Sequence, residues 1–143
     1  MAYACVCTFN LQDCIKTLGL EERGHVQQYI CEEIINLSEP YTPFAQGDLI
    51  RSAHIEDGTD VVWSTPYARY QYNGKVWIDP AINASGFKTE NGWRCTKDAQ
   101  KIPTDRNLKY QGGKLRGSKW VDRMMQNGGR EKIEAGAREK VKK

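Results

Sequence analysis

Three groups of residues have the types and spacing that chemistry needs. His54, Glu56, Asp57 and Asp60 crowd one short stretch, and these are the side chains with which a metal-dependent nuclease holds its cation. Glu56-Asp57-Gly58, however, reads as the turn of a solvated hairpin, where acids are common. The second group is the thiols, Cys5, Cys7, Cys14, Cys31 and Cys95, with His25 as a conceivable companion. Cys5-Val6-Cys7 is not the C-x-x-C spacing of a zinc knuckle or a thioredoxin-like site, and no paired ligand spacing supports a metal. The third interleaves Tyr70, Tyr72, Trp77 and Trp93 with Arg69, Lys75, Lys88, Arg94 and Lys97. Such a pattern offers stacking faces beside phosphate contacts. No recognition helix, zinc finger or RRM signature accompanies it. There is no P-loop, G-x-S-x-G or H-E-x-x-H. The expectation is a chain with no catalytic, cofactor-binding or metal-binding residues.

The elements that must carry these residues are legible in part. Asn10 is a natural N-cap for a short helix over 11–18, with Leu11, Ile15 and Leu18 on one face and Gly19 to end it. Val26, Ile30, Ile34 and Leu37 predict a longer helix from about Glu21 to Leu37. The stretch SEPYTPFAQG, residues 38–47, cannot continue it. Asp48 to Ala53 is expected to add one helical turn, and Ile55 to Ser64 a hairpin. A short helix should carry Tyr67 and Tyr70 up to Asn73-Gly74, before a strand at Lys75–Ile78. From Asp79 to Gly113 periodicity dissolves, apart from Trp93-Arg94-Cys95, and a long hairpin or extended arm is expected. Lys114 to Gln126 reads as helix, broken at Asn127-Gly128-Gly129. A basic helix follows from Arg130, with a thin stripe of Ile133, Ala137 and Val141. So narrow a stripe either dangles or finds a partner.

The chain has 143 residues, of which 39% are hydrophobic, enough for one domain with a modest core. No apolar run approaches the roughly 20 residues that cross a bilayer. The opening MAYACVCTFN has neither the basic nor the long apolar part of a secretion signal, so reduced thiols are expected. The net charge of +3 hides an asymmetry: residues 1–65 hold 3 bases and 10 acids, and residues 66–143 hold 18 bases and 8 acids. The basic half could touch nucleic acid, the halves could neutralise each other within one fold, or the acidic face of one copy could dock the basic face of the next.

Three stretches resemble the minor capsid, or head–tail connector, proteins of long-tailed bacteriophages, most of all the subgroup proposed to complete the tail at the neck. The first runs from Pro40 through Tyr41, Pro43, Phe44, Gly47 and Leu49 to Arg51-Ser52. The second is Trp63 to Gly74, including Pro66-Tyr67-Ala68-Arg69-Tyr70. The third joins Leu108-Lys109-Tyr110 to Gly117-Ser118-Lys119-Trp120 and Arg123-Met124. The resemblance implies an α+β fold, with N-terminal helices (1–37), a small antiparallel sheet with a long hairpin or arm (38–113) and C-terminal helices (114–143).

It also implies a non-enzymatic virion protein, made in the host bacterial cytoplasm and placed at the neck in a ring of identical subunits. Its neighbours would be head-closure or connector proteins and tail-terminator or tail-tube proteins, with non-specific contact to packaged DNA possible and no membrane. A head-to-tail ring needs two complementary faces on each subunit, which the charge asymmetry would supply. Candidate interface residues are Trp63, Tyr67, Tyr70 and Trp120, for which core packing is the competing role. Arg130, Lys132, Arg138, Lys140 and Lys142 are the candidates on the basic tail, seen as an arm reaching a neighbour or DNA. DNA binding by the basic second half is the rival function.

Overall fold

The computed structural model describes residues 10–141. Cys5, Cys7 and Lys142 lie outside the described residues. Helix α1 (Leu11–Thr17) starts where Asn10 Oδ1 accepts the amides of Gln12 and Asp13, at 3.0 and 3.5 Å. Its expected apolar face does not close on a core, since Leu11 and Leu18 are exposed. Helix α2 (His25–Ser38) begins four residues later than the periodicity suggests. Arg23 stands at φ +65°, and Gly24 packs against the Gly19 carbonyl too closely for a side chain, so the chain turns before it winds.

A 3₁₀ turn (Glu39–Tyr41) and α3 (Asp48–Arg51) bracket the proline-rich bend. Strands β1 (Ala53–Glu56) and β2 (Asp60–Trp63) form the expected hairpin, with Ala53 opposite Trp63 and Glu56 opposite Asp60. Helix α4 (Ala68–Asn73) ends on Gly74 at φ +77°, whose missing Cβ makes room for Ser118 and Tyr110.

Strand β3 (Lys75–Ile78) pairs antiparallel with β6 (Ile102–Asn107), a strand that the unperiodic stretch conceals. Pro103, Asp105 and Asn107 are poor strand formers. The pairing is held by the ladder, by Thr104 Oγ1 donating to the Val76 carbonyl (2.7 Å), and by Lys75 Nζ donating to Asn107 Oδ1 (2.7 Å). Between them, β4 (Phe87–Thr89) and β5 (Gly92–Arg94) make a separate small hairpin. The fold is α+β, with three two-stranded antiparallel ladders among the described residues in place of one continuous sheet.

The expected helix at Lys114 begins only at Trp120, as α5 (Trp120–Met124). Residues 112–119 are irregular: Gly112, Gly113 and Lys119 all take positive φ, and arginine side chains capture the carbonyls that a helix would have used. The chain kinks at Asn127 and Gly128, as their identity predicts, and α6 (Arg130–Val141) follows. Far from dangling, α6 packs on α2. Ile133 is buried, Gly136 lets Tyr29 approach, Lys140 Nζ lies 5.4 Å from the Tyr29 ring, and His25 Nε2 meets the Lys140 carbonyl at 3.4 Å. Of the two expected outcomes for this thin stripe, residues 130–141 show the second, a partner, and it is α2 of the same subunit. The stripe was thin, but glycine and tyrosine complete it.

The core centres on Leu49, Ala68 and Trp120, with Tyr41, Trp63, Tyr72 and Val121 packed around them. Trp120 is 1% exposed, with Tyr72 and Trp63 edge-on to it at 4.7 and 5.7 Å between centroids. Burying roughly 200 Å² of indole is worth about 5 kcal/mol, which makes Trp120 a principal anchor of the C-terminal segment. No helix among the described residues is long and apolar enough to cross a membrane.

Candidate functional site

The three motif-bearing stretches meet in space. The bend at 38–49 folds back through Thr42, whose hydroxyl donates to the Ser38 carbonyl at 2.9 Å. Gly47, at φ +84°, redirects the chain into α3 with the Arg51 guanidinium over it. Two arginines then fasten the bend to the C-terminal segment. Arg116 donates to the carbonyls of Glu39 (2.9 Å), Thr42 (2.6 Å) and Gly112 (3.0 Å), and stacks 5.4 Å from the Phe44 ring. Arg123 donates to the carbonyls of Leu115 (2.6 Å), Ser118 (2.7 Å) and Tyr41 (3.3 Å), and lies 5.5 Å from the Tyr41 ring. A planar guanidinium with five donors suits a loop that presents carbonyls from several directions.

An open cleft of about 210 Å³ lies between this bend, α4 and residues 109–111. Phe44 and Tyr67, 43% and 42% exposed, form its lip. Tyr110 forms its inner wall and donates to the Gln71 carbonyl at 2.7 Å. Burial pushes the Tyr110 phenol above its ordinary pKa, with Ser118 and Arg123 acting in the opposite sense. Asp48, at the cleft edge, is paired with Arg51 at 2.6 Å. The lining offers aromatic faces, amides and Lys109, which suit contact with another chain's side chains. It contains no nucleophile aligned with a base.

The candidate residues are distributed across the subunit. Trp120 is inside the core and Trp63 packs against it. Tyr67 lines the cleft, while Tyr70 stacks edge-on with Trp77 at 5.4 Å. On α6, Arg130 pairs with Glu134 at 3.1 Å and Lys140 covers Tyr29. Lys132 and Arg138 are exposed and make no ion pair among the described residues. Of the aromatics interleaved with cations, Tyr70, Tyr72 and Trp77 all stack within the subunit, and Trp93 alone stays 61% exposed. Tyr110, legible within the third stretch, walls the cleft, whereas Arg116 carries weight that the sequence does not reveal. A lone arginine in a glycine-rich break has no periodic signal, and the Glu39 and Thr42 carbonyls it holds lie 77 and 74 residues away.

His54 has both ring nitrogens committed, Nδ1 to the Ser52 carbonyl (2.8 Å) and Nε2 to Glu56 Oε1 (2.9 Å). The Ser52 carbonyl, then Glu56, hold its pKa above the usual histidine value. Among the described residues no three His, Cys, Asp or Glu side chains are grouped to hold a metal ion. Cys14, Cys31 and Cys95 are free thiols. Burial first, then the charges of Asp60 and Glu32 nearby, push the Cys31 thiol up.

Among the described residues, the one ion pair joining the acidic half to the basic half is Arg116–Glu39, at 3.6 Å. Arg51–Asp48, His54–Glu56 and Arg130–Glu134 each stay within one half.

A family model for minor capsid proteins matches residues 21–102, more than half of the chain. No curated protein and no solved structure matches it. The match spans everything from α2 through the proline-rich bend, the β1–β2 hairpin, α4, β3 and the β4–β5 hairpin to the first residue of β6. By that match over more than half of its length, this chain belongs to the phage minor capsid protein family.

Proposed function

We propose that this virion structural protein works at the neck, in a ring of identical subunits that joins the DNA-filled head to the tail. Neighbouring head-closure or connector proteins and tail-terminator or tail-tube proteins would bound the ring. The observation that carries the reading is the unneutralised charge. Among the described residues a single ion pair joins the acidic half to the basic half, which leaves most of both charges available for the complementary contacts that repeated head-to-tail docking requires. Hydrophobic anchors would supply affinity and the charges would set orientation and encounter rate. The aromatic-lipped cleft at Phe44 and Tyr67 is a suitable anchor site at such a contact.

Quantitative mass spectrometry of purified particles, with copy number scaled to the portal, tests this reading. A ring's worth of copies per particle is expected, and absence from particles would overturn it. Reversing the charge of exposed acids in the first half, as in Glu32→Lys with Asp60→Lys, should leave the fold intact and abolish joining of heads to tails. Unchanged yields of infectious particles from that variant would refute docking through charge.

A further inference from the structure

Ile78 and Ile102 are cross-strand partners, so residues 79–101 leave and re-enter the fold at one point. Within that excursion every residue from Phe87 to Asp98 is exposed, except Thr89. A two-stranded hairpin standing in water is marginal by itself. This one nevertheless shows two large apolar rings, Trp93 at 61% and Phe87 at 44% exposure. The register places Lys88 beside Trp93 and Arg94 beside Phe87, so each face of the hairpin presents one ring and one cation. Lys97 and Lys101 extend the positive charge toward the base, against Glu90 and Asp98.

The opposite chemistry lies earlier in the chain. Glu32, Asp57 and Asp60 are exposed on α2 and the β1–β2 hairpin, and Glu56 and Asp60 face each other across the ladder. Like charges directly opposite cost stability, and the His54 contact relieves only Glu56. Beside them is a concavity of about 350 Å³, floored by Ile55 and walled by the Arg23 stem lying over Gly58. An indole entering there would meet an aliphatic floor and a guanidinium, a favourable pair for tryptophan.

We propose that the 79–101 hairpin is the intersubunit arm. It lies against the acidic face of a second copy of this chain, with Trp93 in the Ile55–Arg23 concavity and Lys88, Arg94 and Lys97 against Glu32, Asp57 and Asp60. This rests on the ring reading above and names the element that makes the contact. DNA is the less suitable occupant. The arm carries Glu90 and Asp98, which repel phosphate, and rings on both faces call for an enclosing protein surface.

Cys95, exposed next to Arg94, provides the test. Purified particles carrying Asp60→Cys, and separately Glu32→Cys, are treated with a short bis-maleimide and run on denaturing gels, beside wild-type particles and each variant combined with Cys95→Ser. A ladder of multimers that needs both the new cysteine and Cys95 is expected. The protein present in multiple copies with no such ladder from either variant would overturn the arm and leave the neck reading standing. Absence of the protein from particles would overturn both. Ultraviolet cross-linking of Trp93 to packaged DNA without a ladder would overturn the arm in favour of nucleic acid.

Discussion

Arg123 is the sharpest test of how the C-terminal segment is held. Its guanidinium donates to three carbonyls, two of them at 2.6 and 2.7 Å, and covers the Tyr41 ring. Hydrogen bonds from an ionised donor contribute about 1.5–3 kcal/mol each. Exposed Leu115 regains water when its partner leaves, and the Tyr41 contact is long, so the three do not add in full. Arg123→Met, which keeps the aliphatic stem, should therefore cost about 2–4 kcal/mol. For a chain of this size that lowers Tm by about 10 °C. Arg123→Lys should recover less than half of the loss, because one ammonium cannot reach carbonyls arrayed around a planar fork. Thermal melts followed by circular dichroism, with urea titrations for free energies, measure both variants. Limited proteolysis should show residues 112–119 cut first in the weakened protein. A Met variant that loses less than about 1 kcal/mol, or a Lys variant that melts with the wild type, would refute the guanidinium clamp.

Two further perturbations follow from the geometry. His54 is held above its ordinary pKa of 6.5 by the Ser52 carbonyl and Glu56, so its charged form favours the folded state. That stabilisation is fully present below 6.5 and fades as pH rises through the folded value. The Tm gap between wild type and His54→Gln should accordingly be wider at about pH 5.5 than at about pH 8.5, and a gap independent of pH would count against the pairing. At Gly136, a Cβ would press into the Tyr29 hydroxyl and ring. Gly136→Ala should destabilise the wild-type chain despite alanine's helix preference of about 1 kcal/mol, and should stabilise a Tyr29→Ala background. Urea titration of the four chains reads the change of sign, and the same sign in both backgrounds would show that Tyr29 does not set the α2–α6 spacing.

The sequence by itself determined the local punctuation of this protein. Asn10 caps α1, Asp57-Gly58 turns the first hairpin, Asn73-Gly74 ends α4 and Asn127-Gly128 bends the last helices, each through the conformational preferences of one or two residues. The motifs around Tyr41 and Tyr67 were also legible, and with them the minor capsid family. What only the tertiary structure decided depended on partners distant in sequence. Strand β6 exists because β3 supplies a ladder, and residues 112–119 stay irregular because Arg116 and Arg123 hold carbonyls of the aromatic bend. α6 docks because Gly136 meets Tyr29. Trp120 and Trp93 look alike as residues in a basic half, yet one is the core and the other stands in water. Local preferences act through a residue's own dihedrals and are written in its identity. Burial belongs to the residues that come to surround it, and the chain must fold before they are known.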